Sequence, residues 1–171
     1  LTSQLAIVEG QLYELMARRS RLEAQRDEVE AVSFDDELRT AASENPDVQE
    51  LVDGQRNLFD ARRVSVAQKL EQLGKRRAQI NAQIRGVDAQ EAALSRQLEL
   101  IEEELGNQQS LLDRGLTQAS AVLTLMREQA RLRGQIGELS AQKAQSQERV
   151  TEIDIERLKL DMKGRAAKIA E

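Results

Sequence analysis

The sequence LGNQQSLLDRGLTQAS, residues 105–120, divides the chain into two long stretches that share one apolar pattern. In each stretch apolar residues recur at alternating steps of three and four, which predicts an α-helix with a narrow apolar seam. Gly115 lies between the two stretches and can adopt the left-handed backbone conformation that ends a helix. We therefore predict an α-helical hairpin with residues 105–120 at its tip.

The seam positions of the two arms predict an antiparallel pairing. Before the tip they are Val66, Leu70, Leu73, Arg77, Ile80, Ile84, Val87, Glu91, Leu94, Leu98, Ile101 and Leu105. After the tip they are Val122, Leu125, Gln129, Leu132, Ile136, Leu139, Lys143, Ser146, Val150, Ile153, Arg157 and Leu160. If Leu105 faces Val122 and Ile84 faces Lys143, no two polar intrusions meet, and each polar head can reach water while its stem packs. This register predicts an antiparallel coiled coil.

An earlier seam predicts a further helix at the start of the chain. It steps through Leu1, Leu5, Val8, Leu12, Leu15, Arg19, Leu22, Arg26 and Val29. We expect this face to be covered by residues outside the chain, by a second copy, or by the base of the hairpin. The start, LTSQ, lacks an initiator methionine and is expected for a segment of a longer protein. In that protein we favour helix 1 in line with helix 2, and for the chain itself the sequence leaves open whether helix 1 runs in line with helix 2 or folds back on it.

Capping residues set the predicted boundaries of a single all-α hairpin domain over residues 1–171. We predict helix 1 over residues 1–31, a connector over 32–46, helix 2 over 47–113, the tip over 114–117 and helix 3 over 118–171. Ser33, three residues before Asp36, predicts the N-cap of a short helix inside the connector. Asn45 followed by Pro46 predicts the start of helix 2. Thr117 predicts the N-cap of helix 3.

The composition is typical of a long helical protein without a catalytic or metal centre. The 171 residues are 40% hydrophobic, 32% charged and 2% aromatic, with no histidine or cysteine. The usual metal ligands and nucleophile–base pairs are therefore missing, and we predict no enzyme activity, no metal and no cofactor. The 25 basic and 30 acidic residues are interspersed, which predicts ion-paired helix faces and no nucleic-acid partner. Without a run of about 18 apolar residues, no membrane contact is predicted.

The tip is where the sequence predicts a binding surface. No opposite arm remains there to cover every leucine, so apolar surface is expected beside a charge and a hydroxyl. Such a surface is suited to inserting between the helices of a partner. The predicted docking surface consists of Leu111, Leu112, Arg114, Gly115, Leu116 and Thr117. A passive turn would need only a glycine and a capping residue, and the residues alone leave this interpretation open.

Three segments resemble the periplasmic adaptor, or membrane fusion, proteins of bacterial type I secretion systems. They are LLDRGLT at residues 111–117, RLRGQIGEL at residues 131–139 and VQELVDGQRNLFDARR at residues 48–63. The last is similar to a G-Q-x-x-L-F-x-A-R-R run that enters the second helix in adaptors of the haemolysin, protease and lipase exporters. The resemblance covers most of the chain, and its segments occur in the family's order and spacing.

The tip departs from the Arg-x-x-x-Leu-x-x-x-x-x-x-Ser pattern of drug-efflux relatives. Leu111 or Leu112 would take the leucine position and Thr117 the serine position. The arginine position falls on residue 107 or 108, neither of which is basic. Arg114 is the candidate to supply the charge instead.

The resemblance implies the periplasmic hairpin of an inner-membrane-anchored protein of a Gram-negative bacterium. It implies three partners: a TolC-like outer-membrane channel at the tip, an inner-membrane ABC transporter, and further copies of the adaptor in a ring. The implied function is a non-catalytic adaptor that bridges transporter and channel during protein export. An alternative that fits the same helical pattern is a structural coiled-coil spacer of a cytoskeletal or chromosome-organising protein, in which the tip would be passive.

Overall fold

The computed structural model describes the backbone of residues 2–165 and the side chains of residues 4–162. Over that range it contains four helices, α1 (Thr2–Arg26), α2 (Asp36–Glu44), α3 (Pro46–Asp113) and α4 (Ala119–Arg165). The predicted all-α fold, a long antiparallel helical hairpin with an additional N-terminal helix, is confirmed. Residue 1 of the predicted helix 1 and residues 166–171 of the predicted helix 3 lie outside the described range.

The chain forms two compact units. Unit 1 is built from Leu1–Gly74 and Ile155–Glu171, and unit 2 is Lys75–Asp154. Unit 2 therefore holds the C-terminal part of α3, the turn and most of α4. Unit 1 holds α1, α2 and the remaining parts of the two long helices.

The seam predicted for the two long helices is their buried face. Each seam position of α3 is buried or half-buried, and so is each seam position of α4 apart from Arg157. Leu132 is fully buried, and even the polar Ser146 is only 8% exposed. A heptad spacing keeps the same side of each helix toward its partner over many turns, so these positions lose contact with water together.

Polar seam residues of unit 2 reach across to the opposite helix. The contacts are Lys143 Nζ to Asp88 Oδ1 (2.6 Å), Arg77 Nε to Asp154 Oδ1 (2.9 Å) and Gln129 Nε2 to Glu102 Oε1 (3.0 Å). The predicted register places each of these seam residues opposite one residue of the other helix. In every case the observed partner lies four residues, or about one helical turn, after that residue. A long side chain that leaves the seam and packs its stem along the partner helix produces this offset.

In unit 1, α1 lies alongside the start of α3, so the in-line arrangement favoured from the sequence is wrong. Ala17 shares one apolar core with Phe34 and Val52. Further along, Arg21 Nε donates a hydrogen bond to Gln55 Oε1 at 2.7 Å. The contacts advance along both helices together, so α1 and this part of α3 run parallel. The connector and α2 turn the chain back between them, which buries apolar side chains that an in-line helix would leave in water.

The seam predicted for helix 1 is not the face that packs within the chain. Its described large apolar side chains are all exposed, namely Leu5, Val8, Leu12, Leu15, Leu22 and Val29. The packed side of α1 carries instead Tyr13, Met16, Ala17, Ser20, Arg21 and Ala24. Small side chains such as Ala17, Ser20 and Ala24 let α1 approach α2 and α3 closely, which a row of leucines would prevent. The base of the hairpin therefore does not cover the predicted seam.

The end of α1 also differs from the prediction. The helix ends at Arg26, before the expected residue 31. Glu28 takes a left-handed conformation with φ of 54°, and Val29 N–H donates to Ala24 O at 3.3 Å. This pattern of a left-handed residue with a long backward bond closes a helix. Because the pattern commonly uses glycine, a glutamate at this position gave no terminating signal in the sequence.

Of the N-caps predicted for the next two helices, one is wrong and one is confirmed. α2 begins after Asp35, without a side-chain cap hydrogen bond, so the N-cap predicted at Ser33 is wrong. α3 begins at Pro46, and the Asn45 Oδ1 atom accepts a hydrogen bond from Asp47 N–H at 3.0 Å. Asn45 is therefore the N-cap that the sequence predicted.

Candidate functional site: the tip of the hairpin

Two backbone hydrogen bonds around Gly115 close α3 at the tip. Gly115 N–H donates to Leu112 O and Leu116 N–H donates to Leu111 O, both at 2.9 Å. Gly115 has φ of +73°, the left-handed conformation expected from the sequence. Together these bonds form a Schellman motif, which satisfies carbonyl groups at the end of α3 while the chain reverses. Since a Cβ in this conformation costs about 1–2 kcal/mol, glycine fixes where the turn occurs.

The structure brings the predicted docking residues together but presents them unequally. Leu116 is 63% exposed, and Arg114 and Gly115 beside it are exposed as well. Leu111 and Leu112 are half-buried against the hairpin. Of the three leucines that the hairpin was not expected to cover completely, Leu116 is therefore the most exposed. The docking role of these residues stays a prediction.

Thr117 has a different role from the predicted N-cap. α4 begins at Ala119, so Thr117 lies outside the capping position. Its hydroxyl Oγ1 donates instead to Gln108 Oε1 at 3.1 Å, and the side chain is partly buried. This hydrogen bond joins the two sides of the turn, because Gln108 belongs to α3. The prediction of Thr117 as a cap is wrong, and its observed role is to brace the tip.

Below the tip, a polar cluster holds α4 against α3. Glu102 Oε1 accepts hydrogen bonds from Arg133 Nη2 at 2.7 Å and from Gln129 Nε2 at 3.0 Å. The hydrogen bond from Arg133, followed by that from Gln129, lowers the pKa of Glu102 below its ordinary value. The carboxylate therefore stays charged and bound to both side chains at neutral pH. The cluster therefore joins α4 to α3 through the side chains of Glu102, Gln129 and Arg133.

Two exposed apolar residues near the tip were missed by the sequence reasoning. Leu123 is 50% exposed and Met126 is 49% exposed on α4. Both lie off the seam, so the seam pattern does not identify them. Their spacing in the sequence could have indicated them. Leu123 follows Leu116 by seven residues, and Met126 follows Leu123 by three. They add exposed apolar surface to α4 beside the tip.

The tip places exposed charged and apolar side chains next to one another. Asp113 and Arg114 are exposed at the turn. Among the described residues, no group of three or more histidine, cysteine, aspartate or glutamate side chains is placed to hold a metal ion. The feature of the tip that suits recognition is an apolar side chain on a backbone that its own hydrogen bonds hold in place.

None of the helices in the described range is both long enough and apolar enough to cross a membrane.

Two long antiparallel helices closed by a glycine turn define the class of long α-helical hairpin proteins. The chain belongs to the family whose model is described as AprE, long alpha-helical hairpin, and that model matches residues 1–168. The resemblance to the membrane fusion proteins of type I secretion systems is thereby confirmed, together with the two relatives that follow.

The chain is similar to a type I secretion system membrane fusion protein, PrsE, of Rhizobium meliloti (strain 1021). The two are 35% identical over 164 residues, which cover 93% of this chain and 36% of the relative. The chain thus spans about a third of the length of that curated relative. The crystal structure of the soluble domain of LipC, a membrane fusion protein of a type I secretion system, matches with a TM-score of 0.87. The matched region covers 96% of this chain and 77% of the LipC chain at 22% identity, so the two share the fold.

Proposed function

We propose that this chain is the periplasmic hairpin of a non-catalytic adaptor in a type I secretion system, and that its tip docks a TolC-like outer-membrane channel. The parent protein would be anchored in the inner membrane of a Gram-negative bacterium. It would bridge an ABC transporter and the channel, with several copies arranged in a ring. The family match and the relatives favour this proposal over a passive spacer in a cytoskeletal or chromosome-organising protein.

The observation that carries the proposal is the exposed Leu116 on a hydrogen-bonded turn. Leu116 N–H is itself bonded to Leu111 O, so the backbone that presents the leucine is already ordered. Docking into a groove between partner helices then requires little further ordering, and most of the free energy of burial is available for binding. Arg114 lies two residues away and is exposed, so it can contact polar or acidic groups around such a groove.

A single tip offers a small surface, so we expect each contact to be weak. Copies held together at one channel would bind far more tightly than one copy, because every tip after the first binds at a high local concentration. The proposed mechanism is therefore geometric. The paired helices set the position of the tips, and the set of tips holds the channel.

The test uses the full-length protein that contains this hairpin, in cells that export its substrate. We expect Leu116→Asp to reduce export strongly, because burial of an unpaired charge in an apolar groove is energetically unfavourable. The matched control is Leu100→Asp on α3, since Leu100 is 66% exposed and lies away from the turn. A Leu116→Cys variant should also form crosslinks to the channel. Unchanged export and the absence of crosslinks for the Leu116 variants would refute tip docking.

A further inference from the structure

α1 carries an apolar face that no described part of the chain covers. We call it the α1 face: Leu5 is 59% exposed, Val8 60%, Leu12 47% and Leu15 62%. These residues step by three and four, the spacing of a coiled-coil seam. At 100° per residue the α1 face lies roughly 130° around the helix from the side that packs within unit 1. α1 thus has two separate sides suited to packing, and the described part of the chain covers one of them.

The first part of α1 needs a partner. Residues 4–12 are exposed at every position, although they form regular helix. An isolated helix of this length is marginal in water, and large apolar side chains without contacts do not stabilise it. Because the exposed face keeps a heptad spacing, the partner that fits it is another helix with the same spacing.

Unit 1 presents a second face of this kind, on α4. We call it the α4 face: Ile155 is 47% exposed, Leu158 58% and Met162 60%. The spacing is again three and four. The α4 face lies roughly 160° around α4 from the seam that includes Ile153 and Leu160. It is therefore directed away from the hairpin, as the α1 face is directed away from the core of unit 1.

We propose that the α1 face of one copy of this chain packs against the α4 face of a neighbouring copy as a short antiparallel coiled coil. Three residues of the α1 face fit the α4 face in one register of three apolar layers, and Leu5 lies beyond the last of them. Its layers are Leu15 with Ile155, Leu12 with Leu158, and Val8 with Met162. At the edge of these layers Glu9 of one copy comes opposite Lys159 of the neighbouring copy, and both side chains are exposed. Opposite charges at such flanking positions fix the register and orientation of a coiled coil.

Pairing of the α1 face with itself fits less well. In the antiparallel register that places Leu12 against Leu15, Arg19 enters a layer with Val8. The register that places Leu5 against Leu15 and Val8 against Leu12 keeps every layer apolar. This second register brings Glu9 of one copy opposite Glu9 of the other, and like charges across an interface are unfavourable. The heterologous contact avoids both conflicts. Because the contact uses two different faces, a pair of copies still has one free α1 face and one free α4 face. Further copies can therefore add in the same way until the assembly closes.

A single contact of three layers buries less surface than the roughly 1,200–2,000 Å² of a stable protein pair. It is therefore weak alone, and a closed assembly in which each copy uses both faces stabilises it. Only the expectation that the copies close into a ring rests on the proposed adaptor function.

The test uses cysteine crosslinking, because the chain has no cysteine of its own. Leu12→Cys and Leu158→Cys are made in separate samples of the full chain, mixed at high concentration and oxidised. A disulfide needs Cβ atoms within about 4.5 Å, so its yield reports direct contact. We expect a mixed disulfide several-fold above the matched control, Leu12→Cys mixed with Leu100→Cys. Circular dichroism of each variant checks that the helices are intact.

Charge reversal tests the register. Glu9→Lys in the Leu12→Cys chain should reduce the mixed yield several-fold, and Lys159→Glu in the Leu158→Cys chain should restore it. The proposal is overturned if Leu12→Cys crosslinks to itself as well as to Leu158→Cys, or if the mixed yield equals that of the control. It is also overturned if reversing Glu9 has no effect. No channel is present in these samples, so such a failure would leave tip docking unaffected.

Discussion

Lys143 Nζ lies 2.6 Å from Asp88 Oδ1, although Lys143 occupies a seam position of α4. The side chain leaves the apolar seam and ends on an acidic group of α3. The hydrogen bond to Asp88 raises the pKa of Lys143 above its ordinary value, so the amine stays charged. Exposed ion pairs of this kind add little to stability. The hairpin is therefore held less firmly at this layer than at layers with two apolar side chains.

We expect Lys143→Leu to raise the thermal midpoint of unfolding. The leucine would pack in the seam against α3, and burial of apolar surface gains more than the exposed ion pair loses. Circular dichroism melting at neutral pH measures the shift. Gln142→Leu is the matched control, because Gln142 is exposed and should give no increase. A lower midpoint for Lys143→Leu would show that the seam does not run through this position.

Leu132→Ala should destabilise the chain by about 2–5 kcal/mol, the usual cost of a large cavity at a fully buried site. Leu132 has no exposed surface in the structure. Leu123→Ala is the control on the same helix, since Leu123 is half exposed and its truncation should change stability by less than about 0.5 kcal/mol. Urea unfolding of both variants gives the comparison. Equal effects would contradict the assignment of the buried face.

Gly115→Ala should destabilise the hairpin by about 1–2 kcal/mol, because alanine in the left-handed conformation is strained. Gly106→Ala should do the opposite. Gly106 lies inside α3, a Cβ there would meet nothing within 4 Å, and alanine is the better helix former by about 1 kcal/mol. The two variants make the same chemical change nine residues apart. If denaturant unfolding gave both the same sign, the turn could not be centred on Gly115.

The stabilising effect of Glu102 should disappear in acid. Its pKa is lowered in the folded chain, so its contribution is present above the ordinary value of 4.5 and is lost as pH falls through the lower folded pKa. The difference in thermal midpoint between the wild-type chain and Glu102→Gln should therefore be largest near neutral pH and shrink below pH 4.5. Glu103→Gln, at an exposed neighbouring position, is the control. A difference that grows in acid would contradict the hydrogen bonds to Arg133 and Gln129.

Much of the candidate site could be predicted because it depends on local properties of the chain. The left-handed turn at Gly115 follows from the one residue type without a steric penalty there. The N-cap at Asn45 follows from a side chain that bonds its own backbone two residues on. Thr117 was predicted wrongly because its hydroxyl had two possible partners. Its choice of Gln108, on the other side of the turn, depends on a distance that only the folded tip sets.

The sequence by itself determined the pairing of α3 with α4. Their seam repeats so regularly that only one side of each helix can be buried over its whole length, as Ile80 and Leu132 show. The tertiary structure alone decided which side of α1 packs, since that helix has two apolar sides. The side with Ala17 approaches Phe34 and Leu38 closely enough to form a core, and the side with Leu12 is left exposed. Periodicity shows that a face can be buried, but the choice between two such faces depends on how closely the surrounding helices can approach.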